Sequence, residues 1–194
     1  MLEFKNVKVY GLQESLVRAG YPVRSGDIPV EINIAKKKDV NRGIKLGTKP
    51  VGSGHPNFLK GVVVQFDMKY TSYITKHFQR YHWFEYVSSQ SMMYKLYEMD
   101  MNKCCNKYVT QEIKDVVESY RQEYNDNRTY ENYMKLISNC PMGAEMWVGV
   151  SANYMQLANI YHQREKHKLK EDYGAFMDMC DNLPMFNELT GCGR

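Results

Sequence analysis

The stretch Asn153-Tyr-Met-Gln-Leu-Ala-Asn159-Ile-Tyr-His-Gln-Arg164-Glu-Lys-His167 predicts a helix with two unlike sides. At about 100° per residue, Tyr154, Met155, Leu157, Ala158 and Tyr161 share one side. Asn153, Gln156, Asn159, Gln163, Arg164 and His167 share the other, interrupted by Ile160. The apolar side is a core face. The polar side is rich in carboxamides, where a helix built for water alone would use Lys and Glu. Carboxamides donate and accept hydrogen bonds without adding charge. This side therefore reads either as a site or as a polar packing surface, and Arg164 either as a site residue or as a cation favoured at a helix end.

On the C-terminal side a further helix is predicted over Glu171 to Cys180, followed by a turn at Asn182-Leu-Pro184. On the N-terminal side a helix over Tyr130 to Ser138 ends near Pro141. Thr110 is a candidate N-cap, with Ile113, Val116, Val117, Tyr120 and Tyr124 on one face of the helix it starts. Phe84 to Met93 reads as extended, Thr71 to Tyr81 as helical, and Gly61 to Tyr70 as the clearest strand, by strict alternation. Arg24 to Gly54, polar and punctuated by glycine, reads as a long mobile loop. Its Lys36-Lys37-Lys38 run is the pattern of a solvated face. Gln13 to Ala19 predicts a short helix and Phe4 to Tyr10 a strand. No repeat or low-complexity segment divides the chain, and one domain over 1–194 is expected.

Composition narrows the function classes. An aromatic fraction of 13% supplies core material and excludes disorder. Apolar runs such as Val62-Val63-Val64 fall far short of the roughly 20 residues of a membrane span. Met1-Leu-Glu-Phe-Lys lacks the basic and apolar regions of a secretory leader, so a cytoplasmic protein is expected. A net charge of +4 permits an anionic ligand such as a nucleotide, and no direct DNA binding is expected. The five cysteines lack metal-ligand spacing and read as reduced thiols. His162 and His167, five apart, do not share a helix face and make a poor metal pair. The sequence holds no P-loop, G-x-S-x-G, G-x-G-x-x-G or H-E-x-x-H. No metal is expected.

Three segments stand out together: Gly54-His55-Pro56-Asn57-Phe58-Leu59, then Arg80-Tyr-His-Trp-Phe-Glu-Tyr-Val-Ser-Ser-Gln-Ser91, then Pro141 followed by Asn153-x5-Asn159-x4-Arg164. In this order and spacing the chain resembles the flavin-dependent thymidylate synthases over about residues 50 to 180. Those enzymes carry a His in a turn before a strand, an R-H-R-x7-S signature and a late N-x5-N-x4-R helix. The resemblance implies an α+β fold, a mixed sheet with flanking helices, and a homotetramer with sites between subunits. It implies FAD as cofactor, NADPH and methylenetetrahydrofolate as co-substrates, and a pyrimidine deoxynucleotide such as dUMP as partner.

By the same resemblance, Asn153 and Asn159 address the flavin ring, with His167 close to a further flavin contact. Arg164 contacts and polarises the pyrimidine. His55, His82 and Ser91 line the cofactor and nucleotide pocket, with Ser91 and Arg164 as catalytic candidates. The signature departs from the pattern. In one register it reads Tyr81-His82-Trp83-x7-Ser91, without arginines; in another, Arg80-Tyr81-His82 takes the R-H-R place with one residue inserted before Ser91. Two further expected arginines fall at Met93 and Ile137. Their absence removes charge-assisted bonds of about 1.5–3 kcal/mol each. Either Arg80, Lys76, Lys135 or the Lys36-Lys38 run replaces them, or the substrate is another pyrimidine, or the chain binds flavin or nucleotide without turnover.

Overall fold

Val64, Phe66, Met68 and Tyr70 alternate with Gln65, Asp67 and Lys69 through the middle of a four-stranded sheet in the computed structural model, which describes residues 1–193. In chain order come β1 (Glu3–Tyr10), α1 (Leu12–Arg18), α2 (Lys37–Gly47), a 3-10 segment (His55–Gly61) and β2 (Val63–Thr71). There follow α3 (Ser72–Phe78), β3 (Phe84–Ser89), α4 (Met92–Lys95), α5 (Met101–Cys104), α6 (Gln111–Asp126) and α7 (Tyr130–Ser138). The chain then runs through β4 (Glu145–Asn153), α8 (Tyr154–Arg164), α9 (Lys170–Asp181) and α10 (Phe186–Thr190). The strand order is β1-β2-β4-β3, and every pairing is antiparallel. The α+β class expected from the sequence holds, with the sheet antiparallel throughout rather than mixed in direction.

One face of the sheet is the main core. Val64, Phe66, Met68 and Tyr70 of β2 lie beside Met146, Val148, Val150 and Ala152 of β4, and both rows are buried together with Leu157 and Ile160 of α8 and Phe176 of α9. A seam of rings crosses this core: Phe4 to Phe66 at 5.6 Å, Phe66 to Phe84 at 6.0 Å, and Phe78 stacked on Phe84 at 4.7 Å. Aromatic pairs at these separations add to the area they bury. The other face is polar, with Lys5 and Lys69 both over the Trp147 ring, at 4.6 and 5.8 Å. A second, smaller core gathers Leu96, Met101, Cys105, Val117, Leu136 and Ala144 between α5, α6 and α7.

Four expectations are corrected. Arg24 to Gly54 is not one long loop, because α2 occupies Lys37–Gly47. Its low apolar content hid it; α2 packs through small residues, and a Cβ on Gly43 would sit 2.4 Å from Leu16 Cδ2, on Gly47 2.0 Å from the Leu189 carbonyl oxygen. The extended reading of Phe84 to Met93 ends at Ser89, and α4 begins at Met92. Glu145–Asn153 carries β4, a central strand to which no element had been assigned; Gly149 and flanking polar residues dilute its alternation. On α6, Val117 is buried but Ile113 and Val116 are 47% and 49% exposed, so the apolar face is narrower than its spacing suggests.

Candidate active site

β4 runs straight into α8. Asn153 is the last ladder residue of β4, opposite Val63, and also the N-cap of α8, its Oδ1 accepting from Gln156 N at 2.9 Å. It is buried, so its carboxamide oxygen serves the helix end. Arg164 lies eleven residues on, about 16 Å along the axis. The polar residues of α8 therefore form two groups, one at each end, and Ile160, which interrupts the polar side, is fully buried.

The C-terminal group is a connected network. Gln163 Nε2 donates to Asn159 Oδ1 at 2.9 Å, and the Tyr81 hydroxyl donates to Gln163 Oε1 at 3.0 Å. Arg164 Nε donates to that same hydroxyl at 2.8 Å. The guanidinium lies 5.6 Å from the Tyr81 ring centroid and 5.5 Å from that of Tyr173, within cation–π reach of both. With Nε engaged by Tyr81, the terminal nitrogens are the part of the guanidinium suited to a planar, electron-rich partner.

Behind Arg164 stand two imidazoles. His77 on α3 has Nδ1 3.0 Å from the Tyr173 hydroxyl, and His167 packs edge-on to Tyr173 at 4.8 Å and to His77 at 5.4 Å. Burial, then the Arg164 charge, pushes both histidines below their ordinary value. Burial pushes the Tyr173 hydroxyl up to about 12, so it stays protonated. His167 Nδ1 accepts from Leu169 N at 3.2 Å, which leaves the proton of a neutral ring on Nε2.

Of the residues singled out in the sequence, Asn159, Arg164 and His167 join this network, while Asn153 caps the other end of the helix. His167 lies beyond α8, in the turn that follows it. Ser91 caps α4, accepting from Tyr94 N at 3.3 Å. His82 and Arg80 lie exposed in the turn between α3 and β3, away from both hydrophobic cores. Lys135 is paired with Glu123 at 2.6 Å on the surface. His55 opens the 3-10 segment that packs against α1, α2 and α8, on the rim of a cavity of about 870 Å3 with Arg18, Lys38 and Lys45.

Tyr81, His77 and Tyr173 were not singled out for these roles. The one signal for Tyr81 was its place inside the altered signature. The five cysteines are free, and burial pushes Cys104 and Cys140 up to about 12, leaving both thiols protonated near neutral pH. Among the described residues no cluster of His, Cys, Asp and Glu could hold a metal ion, and no helix is long and apolar enough to cross a membrane.

No family model matches the chain, and no curated protein matches it in sequence. Solved structures do match it. The flavin-dependent thymidylate synthase ThyX from Helicobacter pylori, in a crystal structure complexed with FAD and dUMP, superposes with a TM-score of 0.71 at 14% identity, covering 97% of this chain and 96% of that one. A second structure of Thymidylate Synthase X from Helicobacter pylori with FAD and dUMP gives a TM-score of 0.68 at 15% identity, over 97% and 95%. The chain carries the fold of the flavin-dependent thymidylate synthases.

Proposed function

We propose that the chain is a flavin-dependent enzyme acting on the pyrimidine ring of a deoxynucleotide such as dUMP, transferring a one-carbon unit and a hydride. The observation that carries this reading is Arg164, hydrogen-bonded to Tyr81 and within cation–π reach of two tyrosine rings, in a fold whose solved examples bind FAD and dUMP.

The residues present suit a flavin. Gln156 Nε2 is buried without a partner among the described residues, one turn before half-buried Asn159. Carboxamides so placed match the alternating donors and acceptors of a flavin's pyrimidine edge without adding charge. FAD, when bound, supplies the hydride chemistry, with NADPH as reductant and methylenetetrahydrofolate as one-carbon donor. Arg164 would stabilise negative charge developing on the pyrimidine as it is attacked. His77 and His167, held neutral, would add no competing positive charge beside it. No protein nucleophile is assigned. In this reading the chain works as a homo-oligomer with sites between subunits.

A second reading, a flavin- or nucleotide-binding protein without turnover, is favoured by the Met93 and Ile137 positions, which lack arginines. Purified protein reconstituted with FAD separates the two. A flavin spectrum with NADPH oxidation stimulated by dUMP is the expected result, and Arg164→Ala is expected to abolish the stimulation while leaving the fold standing. Flavin binding without stimulation by dUMP or another pyrimidine deoxynucleotide would establish the second reading; no flavin binding would refute both flavin readings.

A further inference from the structure

The cavity beside His55 has a wall the sequence did not reveal. Lys38, Asn41, Arg42 and Lys45 follow one another on α2 at i, i+3, i+4 and i+7, a single stripe. That stripe lines the cavity of about 870 Å3, and Arg18, in the last turn of α1, lines it too. Tyr21 and Phe58, both half-buried, add apolar surface. No carboxylate lines the cavity among the described residues, and the nearest on α2 in sequence is already paired. Asp39 is 2% exposed, and it is paired with Arg42 at 3.2 Å and with Arg24 at 3.9 Å. Arg18, Lys38 and Lys45 form no ion pair among the described residues. Unpaired cations gathered on one concave, partly apolar surface repel one another and focus a positive potential into it, the condition that favours a multiply charged anion.

We propose that this cavity binds the diphosphate of a nucleotide, with Arg18, Lys38 and Lys45 on the phosphates and the base against Tyr21 and Phe58. A base, a ribose and two phosphates fit the volume, which is in the usual range for small-molecule sites. The proposal rests on the flavin reading in one respect: these cations, and not the altered signature, would then carry the phosphate charge of a dinucleotide. The cationic cavity itself stands without that reading.

The probe is ADP, titrated calorimetrically into the full chain. Binding that weakens as salt rises is expected. Lys38→Ala/Lys45→Ala is expected to weaken it about 10- to 100-fold, and Lys38→Arg/Lys45→Arg to retain it. Both lysines are exposed, so the fold is expected to stand, checked by thermal melting. Arg164→Ala is expected to leave ADP binding unchanged. FAD weakened by the same factor, with FMN unaffected, would assign the diphosphate to a dinucleotide; ADP weakened alone would assign it to a free nucleotide. Equal ADP binding by wild type and the alanine variant, or none by either, overturns the proposal. Lysine-dependent ADP binding in a chain that takes up no flavin would sink the flavin reading and leave the cavity assignment in place.

Discussion

Asn153 shows how one side chain can satisfy two readings. By resemblance it is a flavin contact, and by geometry it is the N-cap of α8, with its oxygen 2.9 Å from Gln156 N. Substitution separates them. Asn153→Ala is expected to lower stability by about 1 kcal/mol, the usual cost of a lost cap, measured by urea unfolding. Asn153→Ser restores a capping oxygen and is expected to recover most of that loss. If flavin affinity stays low in the serine variant, the carboxamide also reads the ligand. His77 carries a pH prediction. Burial, then Arg164, then His167 hold its folded value below the unfolded one, so folding favours the neutral ring. The associated stability is complete above about pH 6.5 and is lost as pH falls below it, toward the folded value. Urea midpoints at pH 7.5 and 5.5 are expected to diverge in the wild type and to diverge less in His77→Gln, His167 keeping its own share.

At the scale of the element, α2 and β4 mark where the sequence was hard to read. β2 was legible because its alternation is strict and its buried side is large. β4 alternates as faithfully in the structure, but Gly149 and Ser151 blur the pattern, and the ladder contacts that make it a strand come from distant β2 and β3. α2 lacks the wide apolar stripe that announces a helix, because glycine and Leu16 replace bulk with close approach. Gly47→Ala tests this packing. Its Cβ would lie 2.0 Å from the Leu189 carbonyl oxygen, which is backbone and cannot swing aside. The expected loss is about 1–3 kcal/mol, as for overpacking, measured by thermal unfolding, and it outweighs the gain in helix propensity. The candidate site was legible where it follows a fixed spacing on one helix, as in Asn159 and Arg164. Tyr81, His77 and Tyr173 escaped because their meeting requires α3, the turn after it and α9 to converge.

At the scale of the molecule, two hydrophobic cores share one chain. The smaller one, between α5, α6 and α7, reaches the main sheet through the bridge of Cys105 with Ala144 and the Asn106 N to Gly143 O bond. Leu136 is 1% exposed there, and Leu136→Ala is expected to cost about 2–5 kcal/mol locally. Amide exchange is the measurement. Protection over 111–138 is expected to fall first, while that of β2 and β4 persists. Equal loss over both regions would show that the two cores unfold as one.

No linker separates β4 from α8. A loop would let a helix drift by an ångström or more, whereas this one is clamped at its origin by the two ladders of a central strand. The guanidinium at its far tip is thus surveyed from the middle of the sheet, as a crane's hook is set by the foot of its mast. Any slip of β4 against β2 would be passed on to Arg164 undiminished.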